Sequence, residues 1–102
     1  MTGGDLRTRY EAEVRALAAL GARLRAEGQG PEQVARALHG ARLRLSVDYR
    51  ALTPEPRRSR ILARTRAVYG SEEGPTIEAL RAAGKSWEEI TQGACRPGEA
   101  VR

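Results

Sequence analysis

The sequence predicts an all-α protein, a small single-domain bundle in which a long helical hairpin carries three shorter helices. Three observations carry that expectation. Apolar residues recur every three or four positions, the spacing of one face of an amphipathic helix. Glycine and proline gather at a few points between those stretches, where helices stop and start. No segment alternates apolar and polar residues as a half-buried strand must.

The first helix is expected over about 5–26, with Asp5 as its cap and Leu6, Tyr10, Val14, Leu17, Leu20 and Leu24 as its stripe. Gly28-Gln29-Gly30 ends it. Pro31, suited to the first position of a helix, opens the second, expected over about 31–52. That stripe is Val34, Leu38, Ala41, Leu45, Tyr49 and Leu52, widened by Leu43 and Val47. Two such helices joined by a short turn pack antiparallel. Thr53 before Pro54 reads as the cap and first turn of a third helix, about 54–69, closed by Gly70. Pro75 opens a short fourth helix, about 75–83, and Gly84 closes it. Ser86-Trp87-Glu88-Glu89 is a capping box, in which the serine hydroxyl and the Glu89 carboxylate each accept from the other's backbone N–H. It starts a fifth helix over about 86–95, which must stop near Pro97.

A chain of 102 residues has room for one domain, here 1–102, with a hairpin region over 1–44 and a second region over 45–98. Its 40% hydrophobic and 30% charged residues suit a globular protein with a modest core. No apolar run approaches the roughly 20 residues that cross a bilayer, and the first residues lack the apolar stretch of a signal peptide. Cys95 is the sole cysteine, which fits a reducing, cytoplasmic location and rules out an internal disulfide. With one histidine beside that one cysteine, no zinc site or histidine cluster can form within the chain, and no metal or cofactor is expected.

The net charge of +5 is unevenly spread. Arg42, Arg44, Arg50, Arg57, Arg58, Arg60, Arg64 and Arg66 crowd one segment against only Asp48 and Glu55. The stretch from Ser71 to Glu99 is acidic in balance. Arginine pairs bidentately with phosphate oxygens, so Arg57, Arg58, Arg60, Arg64 and Arg66 are the candidate nucleic-acid-binding residues of the third helix. Codon bias towards arginine, or internal pairing with the acidic segment, gives the same pattern.

Other constellations are weaker. Ala79-Leu80-Arg81-Ala82-Ala83-Gly84-Lys85-Ser86 loosely matches a phosphate loop, but a helix stands where that loop needs a strand. Ile77 to Ala94 reads as two helices of a helix-turn-helix, yet a recognition helix starting Trp87-Glu88-Glu89 would be repelled by phosphates. His39 reads as a structural or surface histidine, with acid-base work as the alternative. Trp87 reads as a core anchor or, alternatively, a base-stacking platform.

The last part of the chain also carries a connected string: Tyr69-Gly70, Gly74-Pro75-Thr76-Ile77-Glu78, Gly84-Lys85-Ser86-Trp87-Glu88-Glu89-Ile90 and Arg96-Pro97-Gly98. With Asp48-Tyr49-Arg50-Ala51-Leu52-Thr53-Pro54 before it, this string resembles a small C-terminal domain of bacterial polymorphic toxins of the Rhs, wall-associated and LXG-secreted kinds. The resemblance covers roughly residues 45–98. It implies an effector module that acts on RNA or the translation machinery and is neutralised by a dedicated immunity or regulatory protein. Tyr69, Gly70, Pro75, Thr76, Lys85, Trp87 and Arg96 are its signature positions. The relatives place an aspartate after the Tyr-Gly pair, where this chain has Ser71. They continue past Arg-Pro-Gly with a glycine, a lysine and an acid, where this chain has Glu99-Ala100-Val101-Arg102. Those departures point to a degenerate or stand-alone copy.

The expectation is therefore a toxin-like helical effector acting on RNA or an RNA-bound target. Its chemistry would be that of a metal-independent nuclease. Arg50, Lys85 or Arg96 would stabilise developing negative charge, and His39 or Tyr69 would move the proton. The alternative is a non-enzymatic basic module that binds nucleic acid or an acidic protein surface and needs no catalytic residue.

Overall fold

The computed structural model describes residues 3–97. Gly98 of the Arg-Pro-Gly motif and the tail Glu99–Arg102 lie outside the described residues. Five helices form in chain order: α1 (Gly3–Ala26), α2 (Pro31–Leu52), α3 (Arg57–Tyr69), α4 (Ile77–Ala82) and α5 (Trp87–Ala94). No strand occurs among the described residues, and no helix there is long and apolar enough to cross a membrane.

The chain reverses at Gly28, whose φ of 90° is one that L side chains rarely adopt. α1 and α2 then run antiparallel, as contacts between Tyr10 and Tyr49 at one end and Gly21 and Leu38 further along require. They approach closely at Gly21. A Cβ built on it would lie 3.2 Å from a Leu38 methyl and 3.9 Å from Val34, so a hydrogen there lets α2 seat its largest core side chain against α1.

α5 lies along the hairpin and completes the core. Val14, Val34, Ala35, Leu38, Ile90 and Ala94 are the buried apolar residues, with Leu17, Leu20, Leu24 and Cys95 packed around them. The outer positions of the predicted α2 stripe do not reach this core. Val47 and Leu52 stay exposed, because only the N-terminal half of α2 is covered by both α1 and α5.

Local signals set most helix ends. Gly70 closes α3 in the left-handed conformation at φ 79°, its N–H donating to the Arg66 carbonyl at 2.8 Å. The capping box of α5 is complete: Glu89 N donates to Ser86 Oγ at 3.0 Å, and Ser86 N donates to Glu89 Oε1 at 3.0 Å. These bonds hold the Glu89 carboxyl below its ordinary 4.5. A carboxylate with a lowered folded-state pKa adds stability above its unfolded value, and that contribution is lost as pH falls through the folded value. Ser86→Ala is expected to cost about 1 kcal/mol in urea melts, because it leaves Glu89 N without the hydroxyl that accepts from it. No loss of stability in Ser86→Ala would mean that the bond from Glu89 N to the Ser86 hydroxyl contributes nothing.

Three predicted caps are corrected. Asp5 does not cap α1. The helix already starts at Gly3, so Asp5 stands in the first turn and its charge complements the helix dipole. No proline or capping side chain intervenes between Gly3 and Asp5 to stop the helix there. Thr53 caps the end of α2 instead of the start of α3: its hydroxyl donates back to the Tyr49 carbonyl at 2.8 Å. Prolines at 54 and 56 push the residues before them out of helical geometry, so α3 begins only at Arg57. Glu55 takes over the capping, accepting from Ser59 N at 3.0 Å and Ser59 Oγ at 2.8 Å. Pro75 likewise precedes α4, because the Thr76 hydroxyl accepts from Ala79 N at 3.0 Å and makes Thr76 the cap.

α3 stands apart. None of its residues is buried, and it touches the body only at the end of α2 and through the following loop. The radius of gyration, 14.0 Å, exceeds the about 13 Å expected for a compact chain of this length.

Candidate functional site

The polar architecture begins with Arg42, which lies only about 40° around α2 from Leu38 and so shares its inward face. Its Nη1 donates to the carbonyls of Gly93, Ala94 and Arg96 at 3.0–3.1 Å, and its Nε donates to the Tyr10 hydroxyl at 3.1 Å. Gly93 and Ala94 end α5 and Arg96 follows it, and the Gly93 carbonyl also accepts from Arg96 N at 3.2 Å, so Arg42 adds further donors and a full positive charge at the C-terminus of α5. Tyr10 in turn bonds Ser46 Oγ at 2.9 Å and packs edge-on against Tyr49, 5.4 Å between ring centres. Tyr49 donates to the Glu13 carboxylate, a bond that raises its phenol pKa above the ordinary value.

The other end of α5 is held by arginines as well. Trp87, half-buried at the start of the helix, has the Arg81 guanidinium 4.2 Å and the Arg36 guanidinium 5.4 Å from its ring centre. Arg25 reaches Glu88 at 3.1 Å. Trp87 thus joins α2, α4 and α5 through these contacts from outside the buried core.

Three of the five candidate catalytic residues meet at the loop between α3 and α4. His39 Nε2 lies 2.9 Å from the Pro75 carbonyl, which accepts from it. Arg50 donates to the Glu72 carbonyl. Tyr69 is half-buried with its ring against Gly74, itself buried at φ 90°. Burial raises the Tyr69 phenol pKa, partly offset by the nearby Arg42 charge, so Tyr69 keeps its proton at neutral pH. Lys85 lies elsewhere, exposed in the turn between α4 and α5. Arg96 follows α5, where its carbonyl accepts from Arg42. Gly70 and Thr76, of the signature positions, act as helix caps.

Nucleophile and metal chemistry find little here. Burial pushes the Cys95 thiol above its ordinary 9.0, outweighing the pull of Arg25 and Arg42, so the sole cysteine is not an activated thiolate. Among the described residues, no three metal-ligating side chains gather.

The arginines of α3 divide into two faces. At 100° per residue, Arg57, Arg60 and Arg64 fall within about 60° of one another and span about 10 Å along the axis. All three are exposed, and none forms an ion pair among the described residues. Ile61 and Val68, also exposed, border them. Arg58 and Arg66 turn the other way, towards an open groove of about 630 Å³ against the end of α2. There Arg58 pairs with Glu55 at 3.3 Å and Arg66 with Glu72.

Arg42, which sequence reasoning counted with the basic segment, was the residue whose role it missed. The available signal was its spacing: an arginine four residues after Leu38 falls on the buried stripe and must find acceptors there.

Fold and site together define a small all-α protein with a packed three-helix body and a projecting arginine helix. Comparison of the chain with protein-family models, curated proteins and solved structures finds no match in any of the three.

Proposed function

We propose that this chain is a basic helical module that holds the phosphate backbone of RNA through α3, without cutting it. The observation that carries the reading is the face formed by Arg57, Arg60 and Arg64. Three guanidiniums stand there on one side of a helix that contains no acid and buries nothing. Guanidiniums already engaged by carboxylates or carbonyls compete poorly for phosphate, so a row free of them is the natural contact. Binding without catalysis also suits the remaining polar groups. His39 and Arg50 are hydrogen-bonded to backbone carbonyls, and Tyr69 retains its proton.

A toxin-like effector acting on RNA, with a neutralising protein partner, is the second reading. One observation favours it: His39, Arg50 and Tyr69 come from three elements to one loop, inside the stretch that resembles the toxin domain. Both readings take a cytoplasmic target.

Fluorescence anisotropy with a labelled single-stranded RNA tests the interface. The triple variant R57A/R60A/R64A is expected to bind about ten- to thirtyfold more weakly near physiological salt. Its log–log salt slope should be shallower by about 2, near 0.7 for each phosphate that is no longer neutralised. An unchanged slope would remove α3 from the interface. The same RNA, run on a gel after incubation, separates the two readings: intact strands support binding alone, and fragments support the effector.

A further inference from the structure

We propose that the groove between the end of α2 and α3 is a second phosphate subsite, in which the Glu72 carboxylate stands where a phosphate of the bound strand would sit. The proposal rests on the RNA-binding reading and extends it from one face of α3 to the other.

Three guanidiniums border the groove, Arg50 from α2 and Arg58 and Arg66 from α3, with the carboxylates of Glu72 and Glu73 beside them and Arg58 held by Glu55. Val47, Ala51 and Leu62 form its apolar wall. The groove is open, about 630 Å³, and its apolar side is where the sugar or base of a strand held by the guanidiniums would lie. The acceptors already in place are the kind a phosphodiester would supply. Glu72 gives its carboxylate to Arg66 and its backbone carbonyl to Arg50. A carboxylate and a phosphate offer a guanidinium the same charge-assisted oxygen contacts.

The occupant is replaceable. The Arg66 and Glu72 side chains are 62% and 43% exposed, and exposed ion pairs of this kind contribute little. Rotation of the Glu72 side chain frees Arg66 while the Glu72 carbonyl stays on Arg50. A strand on the outer face reaches the groove around the first turn of α3, where Arg57 and Arg58 are neighbours. Glu72 thereby sets how many phosphates the module grips.

The test uses the full chain and the same labelled single-stranded RNA. E72Q and E72A are compared with E78Q, which removes an equal charge from an exposed position on α4 outside the groove. Both Glu72 variants are expected to bind about two- to fivefold more tightly than E78Q, with a salt slope steeper by about 0.7. R66A alone should change little, because Arg66 is already engaged, and adding R66A to E72A should cancel the gain. A gain no larger than that of E78Q, or one that survives R66A, overturns the subsite. If the parent binds and R57A/R60A/R64A weakens it, such a result leaves the outer face standing. If neither the parent nor the Glu72 variants bind RNA, both proposals fall.

Discussion

Leu38→Ala is expected to lower the unfolding free energy by about 3–5 kcal/mol, the upper part of the range for a buried leucine. Leu38 is 0% exposed, and it fills the space between the Gly21 backbone of α1 and Ala94 of α5. Truncation removes three carbons from the point where all three core helices meet. Neighbours cannot easily close over the gap, since α1 and α2 already touch at Gly21. With only six buried apolar side chains among the described residues, such a cavity takes a large share of the about 5–15 kcal/mol that holds a domain together. Urea melts followed by circular dichroism at 222 nm measure it. Leu38→Met, nearly equal in volume, should cost less than about 1.5 kcal/mol. Equal destabilisation by the two variants would mean that shape and not volume governs the site.

Arg42→Ala is expected to cost about 2–3 kcal/mol and to loosen α5 from the hairpin. The substitution leaves the Ala94 and Arg96 carbonyls without their donor, while Gly93 keeps its bond from Arg96 N, and it removes the positive charge facing the negative end of the helix. Trp87, the sole tryptophan, sits on α5 and reports its docking, so its emission should shift to the red in the native baseline. Arg42→Lys should recover little. An ammonium group cannot serve Tyr10 with one nitrogen while another meets three carbonyls. Unchanged stability together with unchanged Trp87 emission would show that α5 is held by its apolar face alone.

These two substitutions bear on how the arginines are read. The charge count of the middle segment treats Arg42, Arg50, Arg58, Arg60 and Arg66 alike. Folding separates them. Arg42 caps α5, Arg50 ties α2 to the loop after α3, and Arg58 and Arg66 pair with glutamates. Arg44 on α2 and the Arg57, Arg60 and Arg64 face of α3 are left with neither an ion pair nor a side-chain hydrogen bond among the described residues. Of the five catalytic candidates, His39, Arg50 and Tyr69 share a loop, whereas Lys85 lies apart from it. No periodicity could announce that division, because the contacts run from α2 to residues 22 to 36 positions later.

By itself the sequence determined where the helices are and how most of them end. The α2 boundaries at Pro31 and Leu52, the left-handed Gly70 and the Ser86–Glu89 box were all legible, since each depends on groups within about four residues of one another. It also determined that the first two helices pair, through apolar stripes on two long helices joined by a short turn. Even the misplaced caps at Asp5, Thr53 and Pro75 erred by a few residues, where neighbouring cap residues compete. Tertiary structure alone decided that α5 lies along the hairpin, that α3 stands clear of it, and that Glu72 meets Arg66. A charged side chain is committed by whichever oxygen lies within about 3 Å in the folded chain, and that distance is set by packing, not by sequence separation.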